Sequence, residues 1–79
     1  MEQILNELAV VFRDVLDDEN ITLREETTAA EIEDWDSLTH IILISEIEKK
    51  FKIKFTSSEI TGFKNVGELA NSVLSKKGS

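Results

Sequence analysis

The chain contains no cysteine and no proline, and it has only one histidine and three glycines. Without cysteine there is no disulfide framework, thiolate zinc site or thiol nucleophile, and one histidine removes most histidine-based metal sites. The missing proline and scarce glycine exclude collagen-like and proline-rich linker classes. So few catalytic constellations remain that a stand-alone enzyme is the weakest hypothesis.

Long apolar runs and an excess of positive charge are also missing. No apolar run approaches the roughly 18 residues of a membrane span, and the N-terminus lacks the basic-then-apolar profile of a signal peptide. We therefore expect a cytoplasmic protein without a membrane partner. The chain has 9 Lys and Arg residues but 16 Asp and Glu residues, a net charge of −7. This acidic balance argues against nucleic-acid binding.

What is present is an ordinary globular composition in a short chain. The 79 residues are 41% hydrophobic and 32% charged. We expect residues 1–79 to form a single monomeric domain, because the chain is too short for two cores. Residues 1–36 hold twelve acids and two bases, whereas residues 37–79 hold four acids and seven bases. The acidic field should therefore belong mainly to the first half.

Apolar spacing and capping motifs predict an all-α fold. The predicted helices cover residues 2–16, 37–51, 56–61 and 65–75. The first two follow from apolar residues at helical spacing, and the last two begin at capping boxes. Gly62 should end the short third helix, and residues 76–79 should form a frayed tail. The prediction is a small four-helix bundle.

Residues 17–36 form a long predicted loop between helices one and two. The side chains expected to pin it to the core are Ile21, Leu23, Ile32 and Trp35. A short turn is expected near residues 28–31. Structureless loops of this length are usually functional in compact domains. The acidic run at residues 17–19 lacks the spacing of a calcium loop and is interpreted as solvated charge.

The second predicted helix has two apolar arcs, and a domain of this size cannot bury both. The arc expected to face the core contains Leu43, Ile44, Ile47 and Phe51. The opposite arc contains Leu38, Ile41 and Ile42. Two interpretations of the opposite arc stay open. It is either an exposed partner surface, or a face on which Ile41 tucks under the long loop.

Asp36 and Ser37 stand where the second helix begins. Asp36 is a good N-cap residue, and the simplest interpretation is that both residues only start the helix. A functional interpretation uses the same geometry, since a helix N-terminus favours a phosphate attached to an exposed serine there. Nearby, His40 is expected to anchor the packing rather than to act in catalysis, and Trp35 to be partly buried.

The surroundings of Ser37 resemble acyl carrier proteins. Asp36-Ser37-Leu38 is similar to the Asp-Ser-Leu signature of that family, at the start of helix two after a long loop. The resemblance extends over most of the chain, through residues 33–39, 46–51, 53–55, 59–60 and 63–69. It implies a four-helix bundle whose serine carries 4′-phosphopantetheine through a phosphodiester. The terminal thiol of that arm would hold acyl groups as thioesters, which explains how a chain without cysteine runs thiol chemistry.

The same resemblance implies roles for individual residues and partners. Ser37 would be the attachment site, and Asp36 would help to engage the phosphopantetheinyl transferase through its metal. The implied partner-binding residues are Leu38, Ile41 and Ile42, which would meet acyl-loading and condensing enzymes. The implied function is a non-enzymatic acyl carrier in fatty-acid, polyketide or related dedicated biosynthesis. The alternatives are an aminoacyl or peptidyl carrier, and an unmodified helical interaction module.

The chain departs from bacterial fatty-acid carriers along helix two. Thr39 and Ile42 stand where that group usually has acids, and Lys49-Lys50 ends the helix. Acidic recognition helices steer basic partners by long-range attraction. Docking by apolar contact is expected here instead, which favours a dedicated pathway over primary fatty-acid synthesis.

Overall fold

A computed structural model describes residues 2–77, and every regular element in that range is helical. The elements are α1 (Glu2–Leu16), a 3₁₀ turn (Ala29–Glu31), α2 (Ser37–Phe51), α3 (Ser57–Gly62) and α4 (Val66–Lys77). The predicted all-α fold with a short third helix and a turn in the long loop is confirmed. Helix α4 continues two residues past its predicted end. The rest of the predicted tail, residues 78–79, lies outside the described residues.

Helix α1 forms one side of the core and packs against both α2 and α4. Its buried stripe contains Ile4, Leu8, Ala9, Val11, Phe12 and Leu16. The facing side chains are Leu43, Ile44 and Ile47 of α2 with Val66, Leu69, Ala70 and Val73 of α4. Phe51 lies at the edge of this core and is only partly buried. Its placement on the core arc is therefore only partly right, because α2 ends there and the Lys77 ammonium lies over the Phe51 ring.

The long loop is held to the bundle by side chains and by its backbone. Of the predicted anchors, Ile21, Leu23 and Trp35 are buried and Ile32 is partly buried. The N–H of Val66 donates to the Thr27 carbonyl at 2.8 Å, and the N–H of Gly67 donates to the Glu25 carbonyl at 2.7 Å. These loop carbonyls satisfy N–H groups that the first turn of α4 leaves without helical partners. The loop is thus fixed at the start of α4.

Two local features set the short connection from α2 to α4. Lys52 ends α2 in a left-handed conformation with φ 57°, and Glu48 then accepts a side-chain hydrogen bond from the N–H of Phe55 at 2.8 Å. Thr56 and Glu59 form the predicted capping box of α3. Helix α3 ends at Gly62, but through an extended residue after it rather than a left-handed glycine. This connection places α3 beside the N-terminal half of α2.

Candidate functional site

Ser37 is the first residue of α2 and is exposed. Asp36 before it is the N-cap, and its Oδ1 accepts hydrogen bonds from the N–H groups of Leu38 and Thr39, each at 3.0 Å. Thr39 completes a reciprocal cap, because its Oγ1 accepts from the N–H of Asp36 at 2.8 Å. The capping bonds are made by Asp36 and Thr39, so starting the helix does not use the Ser37 hydroxyl.

Thr39 also ties the loop to the helix start. Its hydroxyl donates to the Asp34 carbonyl at 2.7 Å. From the sequence alone, Thr39 stands out only as the place of a missing acid, and this role is not predicted. The Asp-x-x-Thr spacing of residues 36–39 could have indicated the reciprocal cap with Asp36, but not the bond to the Asp34 carbonyl. Ser37 is therefore presented on a turn that is hydrogen-bonded on both sides.

The carboxyl of Asp36 is held in its charged form. The backbone N–H of Thr39, together with that of Leu38, lowers the pKa of Asp36 below its ordinary value. The ionised carboxylate also favours the positive end of the α2 dipole. A negative charge consequently stands next to the Ser37 hydroxyl at neutral pH.

The three apolar residues proposed for partner contact all face solvent. Leu38 is 74% exposed, Ile41 56% and Ile42 47%. The alternative in which Ile41 tucks under the long loop is therefore wrong. Helix α2 turns its other face to α1, so its second apolar arc stays on the outside beside Ser37. A contiguous exposed apolar cluster of this kind is typical of an interaction surface.

A groove of about 370 Å³ lies next to Ser37. One wall is the first part of α2, from Asp36 to Ile41. The other wall consists of Ile60 and Thr61 in α3 with Phe63 and Lys64 after it. Its floor includes Trp35 and His40, so the lining is mostly apolar with one acid and one lysine. None of the residues on the α3 side is predicted for this site from the sequence, because contact between α2 and α3 is a tertiary feature.

His40 and Trp35 join the two walls. The indole Nε1 of Trp35 donates to His40 Nδ1 at 3.0 Å, and His40 Nε2 lies 2.8 Å from the Ile60 carbonyl oxygen. Trp35 is buried and packs edge-on against Phe12, with ring centroids 4.9 Å apart. These contacts agree with the expected anchoring role of His40, whereas Trp35 is more deeply buried than the expected partial burial.

Two other kinds of site are absent from residues 2–77. That part of the chain contains no group of three or more His, Asp or Glu side chains placed to hold a metal ion. None of its helices is both long enough and apolar enough to cross a membrane.

Comparison with known proteins agrees with this arrangement. The family described as the phosphopantetheine attachment site matches residues 6–73. A solution NMR structure of holo acyl carrier protein from Geobacter metallireducens superposes with a TM-score of 0.89 and 45% sequence identity, covering 95% of this chain and 86% of that one. A search of curated protein sequences found no match. The chain therefore belongs to the family of phosphopantetheine-dependent acyl carrier proteins, which hold acyl groups on a 4′-phosphopantetheine prosthetic group and are not enzymes.

Proposed function

We propose that Ser37 is the residue to which 4′-phosphopantetheine is attached. The observation that carries this proposal is an exposed serine at the first position of a 15-residue helix whose cap uses other side chains. A phosphodiester on Ser37 Oγ would lie at the positive end of α2, where anions are favoured. When bound, the group supplies the thiol on which acyl groups are held as thioesters.

The residues around Ser37 fit such a group. The groove beginning at Ser37 offers apolar surface from Trp35, Ile60 and Phe63, and the Lys64 side chain adds a positive charge. Apolar walls with few polar groups are typical of small-molecule sites. Trp35, Ile60 and Phe63 would hold the arm near the protein, and Lys64 would balance the negative charge of the phosphate.

We further propose that Asp36 helps to engage the phosphopantetheinyl transferase through its metal. Its carboxylate is exposed and ionised, and both capping bonds go to Oδ1. The second oxygen stays available for a cation carried by the transferase. A carboxylate oxygen is a hard ligand of the kind that Mg²⁺ prefers.

Carriers of this family work with a transferase and with biosynthetic enzymes. We propose that acyl-loading and condensing enzymes dock on the apolar face of Leu38, Ile41 and Ile42, and that the chain acts as a monomeric single domain. The exposed apolar face and the uncharged Thr39 support a dedicated pathway rather than primary fatty-acid synthesis. They are equally compatible with aminoacyl cargo.

The attachment site is tested by intact mass after incubation with coenzyme A and a broad-specificity phosphopantetheinyl transferase. Wild-type protein should gain one arm, and Ser37→Ala should gain none. Ser45→Ala is the matched control, since Ser45 is also an exposed serine of α2 but lies in its interior. It should be modified like the wild type.

Two results would overturn the assignment. One is a Ser37→Ala protein that still gains the arm. The other is a wild-type protein that stays unmodified while a known carrier in the same reaction is converted, a result that would favour the unmodified interaction module.

A further inference from the structure

One imidazole connects three separate parts of the fold beside Ser37. His40 belongs to α2, Trp35 to the end of the long loop, and Ile60 to α3. The Nδ1 of His40 accepts from the indole N–H at 3.0 Å, and its Nε2 lies 2.8 Å from the Ile60 carbonyl oxygen. The two rings lie nearly parallel, with an interplanar angle of 27° and centroids 5.9 Å apart. The bridge thus spans the groove from one side to the other.

The chemistry of the two partners determines which nitrogen carries the proton. An indole N–H can only donate and a carbonyl oxygen can only accept. His40 Nδ1 must therefore be unprotonated, and Nε2 must carry the hydrogen that it donates to Ile60. A neutral imidazole satisfies both bonds in this tautomer.

A second proton would affect the two bonds differently. It would enter at Nδ1, so that two N–H groups would face each other and the Trp35 bond would break. The bond from Nε2 to the Ile60 carbonyl would remain, because an imidazolium donates from both nitrogens. Protonation therefore breaks the bond from His40 to Trp35 in the loop and leaves α3 attached to α2.

The charged surroundings of His40 do not replace the lost bond. The charged side chains that line the groove with it are Asp36 and Lys64, which have opposite signs. The other contacts in the groove are uncharged, with the Phe63 ring edge-on to the imidazole and Ile60 and Thr61 contributed by α3. From α1, Phe12 packs against Trp35 and brings no charge.

We propose that His40 is a proton-sensitive latch that ties Trp35, and with it the turn presenting Ser37, to α2 and α3 on the two sides of the groove. With neutral His40 the turn is held from the loop side by Trp35 and from the helix side by Thr39. With protonated His40 the bond to Trp35 is lost, and the turn keeps the Thr39 connection and the packing of Trp35 against Phe12. The latch does not depend on what Ser37 carries, whereas its consequence for a prosthetic arm rests on the proposed attachment at Ser37.

The latch is tested by NMR on the full chain, which contains a single Trp and a single His. At neutral pH, long-range ¹⁵N correlations should show a protonated Nε2 and an unprotonated Nδ1. The Trp35 indole N–H should be protected from solvent exchange. Between about pH 8 and pH 5, its protection factor should fall roughly tenfold along the imidazole titration, the effect of losing one net hydrogen bond.

Two variants separate the halves of the bridge. In His40→Asn the amide oxygen replaces Nδ1 as acceptor, so the protection of Trp35 should persist and become independent of pH. In His40→Gln the amide nitrogen replaces Nε2 as donor, so the α3 connection should persist while Trp35 is unprotected at every pH. The division between the two variants tests the two hydrogen bonds, and the loss of pH dependence in His40→Asn separates a proton-sensitive histidine from a purely structural one.

The proposal is wrong if wild-type Trp35 keeps constant protection while the imidazole titrates. It is equally wrong if Nδ1 carries the proton at neutral pH, or if His40→Asn retains the pH dependence. The apo protein suffices for these measurements. Failure of the latch and failure of the proposed attachment at Ser37 are therefore distinguished, the latter by the mass experiment alone.

Discussion

Gly62 and Gly67 are both helical glycines, yet their surroundings differ. A Cβ built on Gly67 would lie 2.8 Å from the Glu25 carbonyl oxygen and 3.2 Å from Asn65 Oδ1. That carbonyl also accepts the Gly67 N–H at 2.7 Å, so it cannot retreat without weakening the bond that holds the loop. A Cβ on Gly62 would meet nothing within 4 Å, and Gly62 has no positive φ.

We therefore predict opposite effects of a methyl group at the two positions. Gly67→Ala should lower the free energy of unfolding by about 1–3 kcal/mol, because overpacking outweighs the better helix propensity of alanine. Gly62→Ala should raise the free energy of unfolding by about 0.4–1 kcal/mol. Urea denaturation followed by circular dichroism measures both. Equal changes of the same sign in the free energy of unfolding would contradict the close approach of the Glu25 carbonyl to Gly67.

Phe12 and Phe51 are predicted to differ in their contribution to stability. Phe12 is fully buried between Trp35 and the rest of the core, whereas Phe51 is partly exposed at the end of α2. Phe12→Ala should cost about 3–5 kcal/mol, comparable to the whole stability of a small domain, and should leave the chain largely unfolded. Phe51→Ala should remain folded with a lower melting temperature. If Phe51→Ala lowered the melting temperature as much as Phe12→Ala does, Phe51 would belong to the core.

At the scale of elements, helices α2 and α3 begin at caps that involve carboxylates. The N–H of Thr39 lowers the pKa of Asp36, and the N–H of Thr56, together with Lys76, lowers the pKa of Glu59. A carboxyl group with a lower pKa in the folded state stabilises the fold above its unfolded pKa, and this contribution disappears as pH falls through the folded pKa. Both helix starts should therefore weaken in acid.

Asp36→Asn should remove part of this acid dependence. Asparagine is an equally good N-cap residue but does not titrate, so the variant should resemble the wild type in strong acid. Near neutral pH it should melt at a lower temperature, because the charge–dipole stabilisation is gone. Thermal melts at a series of pH values below about 6 test this. The dependence of melting temperature on pH that remains in the variant should come partly from Glu59. A variant with the same dependence as the wild type would show that Asp36 does not contribute.

At the scale of the whole molecule, charge and apolar surface are separated. The acidic loop of residues 17–36 lies next to α2, but the exposed face of α2 carries Leu38, Ile41 and Ile42. Surface charges are screened over about 10 Å at 0.1 M salt, whereas apolar burial is not. Partners should therefore be held mainly by apolar contact, with electrostatics changing the encounter rate.

Ile42→Glu should slow acylation of the phosphopantetheine-loaded protein by its native loading or condensing enzyme. Raising salt should change the wild-type rate less than this substitution does. Val10→Glu is the matched control, since Val10 is similarly exposed, at 54%, but belongs to α1 and adjoins the C-terminal half of α2. An unchanged rate for Ile42→Glu together with a steep loss in salt would show that docking is electrostatic.

The sequence by itself determined the helices and the position of Ser37. Helical spacing of apolar residues and capping motifs such as residues 56–59 act within four or five positions, so no distant contact is needed to predict them. The Asp36-Ser37-Leu38 motif belongs to the same local category, since an N-cap and the serine after it require only the start of α2. The family was recognisable for the same reason, because its motifs are contiguous.

Only the tertiary structure decided which of these local features meet. The exposure of Ile41, the partial exposure of Phe51 and the necessity of Gly67 each depend on where a different element passes. The bridge from Trp35 through His40 to Ile60 spans residues up to 25 positions apart, and its second bond joins side chain to backbone. A backbone carbonyl oxygen has the same chemistry at every residue, so the sequence does not indicate which carbonyl accepts a hydrogen bond from a distant histidine. The acceptor is Ile60 because the fold packs α3 against α2.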